Sequence, residues 1–170
     1  CLVAKRWIES EAYDRVVVIG AEEISRFIVS GFHSFHALSL TACRPFDAAR
    51  DGLNLGEAVG TLILEKTSLP DENTITIAGG AITNDANHIS GPSRTGEGLY
   101  RAVQQVLPEE ERSGLAFINA HGTATRFNDE MESIAFARAG LQAVPIFSLK
   151  GYIGHTLGAS GVVETILSAR

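Results

Sequence analysis

The chain has 170 residues, of which 45% are hydrophobic and 20% charged, a composition typical of a globular protein with a proper core. Its formal net charge of −6, with no local cluster of lysine and arginine, argues against nucleic acid and anionic membranes as partners. No apolar run is long enough to span a bilayer and no signal peptide is recognised; because the first residue is not methionine, we interpret the chain as a fragment.

The first part of the chain predicts a helix and two buried strands. Residues 1–13 have the apolar spacing of an amphipathic helix, and the run 16–19 then predicts a strand that stops at Gly20. After a mixed segment, residues 57–66 predict a second strand, because their apolar residues run almost continuously. The polar segment 68–73 contains a proline and is the best candidate for a domain boundary.

The second part predicts strands that alternate with helices. Strands are expected at 74–83, 115–119 and 144–149, and helices at 99–107, at 129–139 and from about Gly158 onward. Asp129 and Glu132 have the spacing of a capping box at the start of the second of these helices. Such alternation is typical of parallel strand pairing, so the predicted class is α/β.

Two histidines stand at the carboxyl ends of predicted strands. His121 follows the strand 115–119, and His155 follows the strand 144–149 together with Lys150. A neutral imidazole donates a hydrogen bond to a carbonyl oxygen and can exchange a proton near pH 7. One such histidine is more often structural, but two in matching glycine- and threonine-rich turns, with a lysine, favour a catalytic site. Helix amino termini beside them would favour a developing oxyanion and keep both rings neutral.

The cysteines and the remaining histidines show no metal-binding pattern. Cys1 and Cys43 have neither a metal-ligand spacing nor a disulfide framework, which favours a reducing cytoplasm as the location. His33 and His36 could bind a metal ion only if further ligands converged on them, so a partly exposed loop pair is the simpler interpretation. We therefore predict no metal site and no cofactor.

Five stretches, in order along the chain, carry a resemblance to one protein family. They are Val18-x-Gly20-Ala21-Glu22, Arg44-Pro45-Phe46-Asp47-x-x-Arg50-Asp51-Gly52, Asp85-Ala86-x-His88-Ile89-Ser90-x-Pro92, His121-Gly122-Thr123-x-Thr125-x-x-x-Asp129-x-x-Glu132 and Ser148-x-Lys150-x-x-x-Gly154-His155-x-x-Gly158. Together they resemble the motifs of the elongating β-ketoacyl-acyl carrier protein synthases. Thiolases share the glycine-rich histidine turn but are expected to lack the His-Gly-Thr motif paired with this lysine. Priming synthases and chalcone synthases are expected to carry asparagine where His155 stands.

The resemblance implies an incomplete thiolase-like fold with αβαβα layers. Residues 1–67 would be the end of the amino-terminal ketoacyl synthase half, and residues 74–170 the carboxyl-terminal half. The implied activity is a decarboxylative Claisen condensation of an acyl thioester with malonyl-acyl carrier protein, as in fatty-acid or polyketide chain elongation. The implied partners are the acyl carrier protein and a second subunit, in a homodimer or in a heterodimer with a ketosynthase-like chain.

The resemblance also implies roles for individual residues. Neutral His121 and His155 would both donate to the malonyl thioester oxygen, while Lys150 and Glu132 would form an ion pair that fixes the histidines. A direct role of Lys150 in loading the acyl group is the alternative. Pantetheine would contact three hydroxyl groups, those of Thr123, Thr125 and Ser90. For any one of these hydroxyls, hydrogen bonding to a turn of the backbone is an equally good explanation.

The catalytic nucleophile of such enzymes is a cysteine, and neither cysteine here fits that position. Cys1 lies too close to the Gly20 motif, by roughly two helical turns, so we predict an ordinary buried helix residue and a nucleophile upstream of it. Cys43 precedes a Pro-Phe loop in which the family has no catalytic cysteine. As given, the fragment is expected to be inactive alone.

Two other functions stay open at this point. A non-catalytic partner of the chain-length-factor kind would keep the fold and the subunit interface but lack the cysteine. Retention of His121, Lys150 and His155 favours the catalytic alternative. An α/β scaffold with structural histidines is the third possibility. The sequence leaves the acyl chain length and the pathway open.

Overall fold

The structure, a computed structural model, describes residues 1–88 and 91–169. In chain order its elements are α1 (Leu2–Glu9), β1 (Arg15–Glu22), α2 (Arg26–Ser34), β2 (Ala58–Glu65), α3 (Glu97–Val106), a 3-10 helix (Glu109–Gly114), β3 (Ile118–Asn119), α4 (Arg126–Arg138), β4 (Ile146–Phe147), α5 (Lys150–Ile153) and α6 (Leu157–Ser168). None of the helices within these residues has the length and apolar composition needed to cross a membrane.

The first sheet pairs β1 with β2 in antiparallel orientation, in a register that sets Gly20 opposite Gly60. Parallel pairing was predicted from the alternation of strands and helices in the second part of the chain, and these two strands of the first part pair differently. Parallel neighbours need a crossover that returns the chain to the same end of the sheet. Here α2 and the loops after it return the chain to the end of the sheet at which β1 finishes. Strand β2 therefore runs antiparallel to β1.

Helix α6 packs across one face of this sheet at the two paired glycines. A Cβ atom on Gly20 would lie 3.0 Å from Val162 Cγ2, and one on Gly60 would lie 3.0 Å from Val163 Cγ2. The missing side chains therefore allow the helix to approach the strands closely.

The second sheet pairs β3 with β4 in parallel, with Ile118 opposite Ile146. This pairing confirms the α/β expectation, although both strands are shorter than the predicted spans 115–119 and 144–149. The predicted strand at 74–83 is wrong, because no strand forms there. Within the described part of the chain no strand pairs with this segment to complete its backbone hydrogen bonds.

The main buried cluster lies beside the second sheet. It consists of Ala120, Phe136, Ala139 and Leu141, with α3 and the segment around Leu115 packed against it. Burial of these side chains holds α4 against the end of β3, and this contact fixes the loop between them.

Replacing Gly20 by valine tests the close packing of α6 on the first sheet. We expect a loss of roughly 1–3 kcal/mol in the free energy of unfolding, because the new side chain overlaps Val162 and the α6 backbone. The matched control is Ala21→Val, at the next, exposed position of β1, which should change stability by less than about 0.5 kcal/mol. Equal effects in urea unfolding curves would contradict the described packing.

Candidate active site

Both predicted histidines line one cleft. His121 lies two residues after β3, and His155 lies between α5 and α6, on the wall of a cleft of about 810 Å³. Their ring centroids are 5.1 Å apart, and the ring planes meet at 81°. Separate strand ends therefore deliver two imidazoles to one place, as the motifs predicted.

The turns that carry the histidines contain left-handed backbone. Gly122 has φ +43°, and a Cβ there would lie 2.4 Å from Ser148 Cβ. Gly154 has φ +72°, and a Cβ there would lie 2.8 Å from Leu55 O. Both positions need glycine, because a side chain would be strained and would collide with neighbouring atoms. Leu157 also has a positive φ, of 38°, which is unusual for a branched aliphatic residue.

The backbone of His155 is held by the loop that precedes β2. His155 N donates to Asn54 O at 2.7 Å, and Gly56 N donates to His155 O at 3.1 Å. Asn54 is itself fixed, because its Oδ1 accepts from Cys43 N at 2.7 Å and its Nδ2 donates to Thr41 O at 3.0 Å. A loop from the first half of the chain therefore positions a histidine of the second half.

The ring of His155 has a defined tautomer. Leu157 N lies 3.2 Å from His155 Nδ1, and Ser160 Oγ lies 3.1 Å from the same atom. A backbone amide can only donate, so Nδ1 accepts and the proton of the neutral ring is on Nε2. His155 Nε2 is consequently available as a hydrogen-bond donor.

Both imidazoles are neutral at pH 7. Burial lowers the pKa of His155 to about 4, with smaller contributions from His121 and the Lys150 cation. Burial also lowers the pKa of His121 to about 4, where Lys150 acts in the same direction and Asp129 opposes it. His121 is exposed to solvent in part, and His155 is half-buried. The neutral rings agree with the expectation, and their cause is burial.

The predicted ion pair between Lys150 and Glu132 is wrong. Glu132 accepts from the backbone amides of His121 at 2.8 Å and Gly122 at 2.7 Å, and from Asn128 Nδ2 at 2.8 Å. Burial raises the pKa of Glu132, although these hydrogen bonds lower it in part. Both of its oxygens hold the turn after His121, and the lysine bonds a different carboxylate.

The partner of Lys150 is Glu164, on α6. Lys150 Nζ lies 2.6 Å from Glu164 Oε1, with the lysine side chain 0% and the glutamate side chain 13% exposed. Ser148 connects Lys150 to the turn of His121, since its hydroxyl donates to His121 O and accepts from Lys150 N. Lys150 thereby connects two elements: its ammonium group bonds α6, and its backbone amide is linked through Ser148 to the turn of His121.

The capping box predicted for Asp129 and Glu132 is also wrong. Helix α4 begins three residues earlier, at Arg126, with Thr125 as its N-cap. Asp129 points out of the helix and accepts from Phe46 N at 2.7 Å and Ala124 N at 3.1 Å. It therefore binds two loops together instead of closing the end of its own helix.

The predicted pantetheine-binding threonines are both on the wall of the cleft. Thr123 is buried, and its Oγ1 lies 2.8 Å from Thr125 Oγ1. Thr125 N also lies 3.4 Å from Thr123 Oγ1, which is the backbone hydrogen bond of the alternative explanation. The third predicted residue, Ser90, lies outside the described residues.

Neither cysteine reaches this cleft as a reactive thiol. Cys43 is buried with its Sγ 3.7 Å from Thr123 O, and burial raises the pKa of its thiol. Cys1 is exposed at the start of α1, so its prediction as a buried helix residue is wrong. Among residues 1–88 and 91–169, no three His, Cys, Asp or Glu side chains come together to hold a metal ion.

Three residues that support the site were missed from the sequence: Asn54, Ser160 and Glu164. A signal existed for Glu164, which is the only charged residue of the apolar helix α6. A carboxylate on a buried helix needs a cation nearby, and Lys150 was the candidate. Asn54 and Ser160 act through contacts between distant segments, for which the local sequence holds no signal.

Replacing Glu164 by glutamine tests the buried ion pair. The variant leaves Lys150 buried without a counter-charge, so we expect a loss of roughly 3–5 kcal/mol in the free energy of unfolding. The double variant Lys150→Met/Glu164→Leu should recover most of this loss. Lys66→Met breaks the exposed pair with Glu11 and should cost less than about 1 kcal/mol. If the effects of the Lys150 and Glu164 substitutions simply added in urea unfolding curves, that result would contradict the pairing.

The lowered histidine pKa values predict a pH-dependent stability. The unfolded chain takes up a proton on each histidine near pH 6.5, whereas the folded protein does so only near pH 4. The free energy of unfolding should therefore fall as the pH is lowered from about 6.5 to about 4. Urea unfolding at several pH values measures this slope, which His155→Asn should reduce. A slope unaffected by that substitution would show that His155 is not held neutral.

Comparison with known proteins identifies the family. The profile of the β-ketoacyl synthase amino-terminal domain matches residues 3–69, and that of the carboxyl-terminal domain matches residues 74–170. The 3-oxoacyl-[acyl-carrier-protein] synthase 2 of Staphylococcus aureus is 35% identical over 92% of this chain and 42% of its own length.

Solved structures show the same likeness. A ketosynthase in complex with its chain length factor from Xenorhabdus doucetiae has a TM-score of 0.88 and 36% identity, covering 98% of this chain and 41% of that chain. A type II polyketide acyl-carrier protein in complex with its ketosynthase has a TM-score of 0.87 and 28% identity, covering 98% and 43%. The chain thus spans less than half the length of these relatives, and its fold is an incomplete thiolase-like fold. The chain belongs to the β-ketoacyl synthase family.

Proposed function

We propose that the whole protein catalyses the decarboxylative condensation of an acyl thioester with malonyl-acyl carrier protein, in fatty-acid or polyketide chain elongation. The observation that carries this proposal is the pair of neutral imidazoles, 5.1 Å apart, on the wall of one cleft. We also propose that residues 1–67 and 74–170 belong to the two halves of the synthase fold, which the family matches at 3–69 and 74–170 support.

The two histidines would stabilise the enolate that forms when malonyl thioester loses carbon dioxide. The electrons of the broken carbon–carbon bond move onto the thioester oxygen, where negative charge develops. Nε2–H of His155 donates to that oxygen, and neutral His121 supplies a second donor. Such preorganised donors act most strongly in a site that excludes water. The low pKa of both rings supports this role. Each neutral ring keeps a hydrogen-bond donor for the thioester oxygen and carries no positive charge that would attract the substrate carboxylate instead.

Lys150 and Glu132 would position the histidines from the side away from the cleft. The ammonium group of Lys150 bonds Glu164, and both side chains are buried away from the cleft wall, which supports positioning over proton transfer. The Lys150 charge also disfavours protonation of both rings. Glu132 fixes the backbone of the turn that carries His121.

The condensation also needs a cysteine nucleophile and a bound pantetheine arm. The cysteine would take the acyl group as the carrier thiol leaves, and the enolate carbon would then displace the cysteine from the acyl carbonyl. Burial raises the pKa of the Cys43 thiol, so little of it is present as the reactive thiolate. We therefore place the nucleophile in a part of the whole protein other than residues 1–170. Thr123 and Thr125 would contact the pantetheine arm, as would Ser90.

The partners follow from the same proposal. A similar solved structure contains an acyl-carrier protein with its ketosynthase, which supports the carrier protein as substrate donor. The two free cysteines support the cytoplasm as the location.

A second candidate is a non-catalytic partner subunit, since another similar structure contains a chain length factor with its ketosynthase. Retention of His121, Lys150 and His155 favours the enzyme, and either candidate would pair as a dimer.

Alanine substitutions of the two histidines test the activity. In the intact protein, His121→Ala and His155→Ala should each lower the rate of carbon dioxide release from malonyl-acyl carrier protein by roughly 10²–10³, because each removes one donor to the enolate oxygen. His33→Ala, an exposed histidine of α2 outside the cleft, is the matched control and should keep the normal rate.

Two results would decide against the enzyme. Unchanged release in both cleft variants would remove the proposed mechanism. Absence of release from the unmodified protein, together with stable binding of a separate ketosynthase subunit, would favour the partner-subunit function.

A further inference from the structure

Two buried carboxylates are neighbours on the first two turns of α4. Asp129 and Glu132 are three positions apart, so they lie on the same face of the helix. Asp129 is 1% exposed and Glu132 is 3% exposed. Two neighbouring negative charges away from water repel each other, and this repulsion favours protonation of one of them. A side chain that donates a hydrogen bond to both carboxylates would therefore stabilise the ionised pair.

Asn128 is such a donor. Its Nδ2 lies 2.8 Å from Glu132 Oε2 and 3.3 Å from Asp129 Oδ1. Asp129 Oδ1 also accepts from the backbone amide of Ala124, at 3.1 Å. The reversed orientation of the Asn128 amide would set its own carbonyl oxygen against this acceptor, so the NH₂ group faces the two carboxylates. Asn128 also lies on the wall of the cleft, whereas the two carboxylates are buried.

The ionised form of Glu132 is the form that holds the turn of His121. Glu132 Oε1 accepts from His121 N at 2.8 Å, and Oε2 accepts from Gly122 N at 2.7 Å. A proton on either oxygen would take up part of its capacity to accept, and a backbone amide in the turn would lose its acceptor. Such a loss is costly for a buried group, because water is not there to replace the partner.

We propose that Asn128 is a positioning residue for His121: by donating from one NH₂ group to Glu132 and Asp129, it holds Glu132 in its ionised form and so fixes the turn that presents His121 to the cleft. The single side chain thereby connects the charge of the buried pair to the place of the imidazole. The effect on catalysis rests on the proposed function, whereas the ionisation of Glu132 does not.

The electrostatics around Glu132 make this donor important. Burial raises the pKa of Glu132, the amides of Gly122 and His121 lower it, the charge of Asp129 raises it, and the hydrogen bond from Asn128 lowers it. Further titratable or charged groups near the pair come from the loop before β2, the turn after β3 and α5: Arg50, Cys43, His121 and Lys150. Asn128 is uncharged and acts on Glu132 through its hydrogen bond alone.

The test is Asn128→Leu in the intact protein, because leucine keeps the branched shape of the side chain but has no hydrogen-bonding group. Labelling with ¹³C-glutamate follows the ionisation of Glu132, whose carboxyl signal is assigned by its loss in Glu132→Gln. In Asn128→Leu this signal should titrate at a higher pH than in the unmodified protein.

The rate of carbon dioxide release from malonyl-acyl carrier protein gives the second readout. On the acid side of the pH profile, Asn128→Leu should lower kcat about tenfold with little change in KM, as expected for the loss of one hydrogen bond to a charged group. The rate should recover as the pH rises and Glu132 ionises. General damage to the fold would lower the rate at every pH.

Three further variants complete the test. Asn128→Gln keeps the amide, which reaches the carboxylate four positions along the helix, and should restore the Glu132 titration. Ser133→Ala removes an exposed hydroxyl of the same helix that bonds Asp129 O, and it should leave both readouts unchanged. If Asn128→Leu does not fold, Asn128→Ala removes the same donor, and alanine is the best helix former.

The outcomes are distinct. A Glu132 titration that is the same with and without the Asn128 amide would overturn the inference, even if activity fell. A protein without decarboxylase activity would contradict the proposed function, and the Glu132 signal would still decide the role of Asn128. A titration that moves to higher pH in Asn128→Leu and returns in Asn128→Gln would support it.

Discussion

The structure depends on the neutralisation of one ammonium group that has no contact with water. Lys150 reaches its place at the end of β4, where charge would be very costly without a partner. Glu164 supplies that partner from α6, and the ion pair fixes the position of α6 relative to the end of β4. The position of α6 then determines where its first turn stands, and His155 is next to that turn.

Helix α6 is also the element shared by the two sheets. Its apolar side meets the paired glycines Gly20 and Gly60, and its carboxylate bonds Lys150, which begins α5 just after the second sheet. Packing and charge therefore act on the same helix from two directions. Asp129 and Asn54 add hydrogen bonds between loops that come from different halves of the chain. The cleft between the histidines is the place where these constraints meet.

The sequence was sufficient to predict the family, the meeting of the two histidines and the main helices, because all of these leave local signals. His121, Lys150 and His155 each follow a short apolar run and stand among glycines, and such turns are recognisable one at a time. The helices α3, α4 and α6 were likewise predicted within a few residues of their bounds.

Pairing between distant segments was harder to predict. The orientation of β2 against β1 depends on the path of the 35 residues between them, and periodicity carries no information about that path. The partner of Lys150 was misassigned because Glu132 is the acid within the matched motif, whereas its oxygens accept from two backbone amides. Ser160 looked like one more small residue in a helix. Its contact with the imidazole is a property of the folded turn.

The left-handed conformation of Leu157 has a consequence for the design of more stable forms of this protein. Its φ of 38° costs free energy that a glycine or asparagine at the same position would largely recover. The same conformation points the Leu157 amide at His155, so glycine or asparagine would keep this hydrogen bond, whereas a residue that shifts φ would free the ring. Screens that select for heat resistance alone would then enrich glycine or asparagine here and leave the orientation of the ring unchanged.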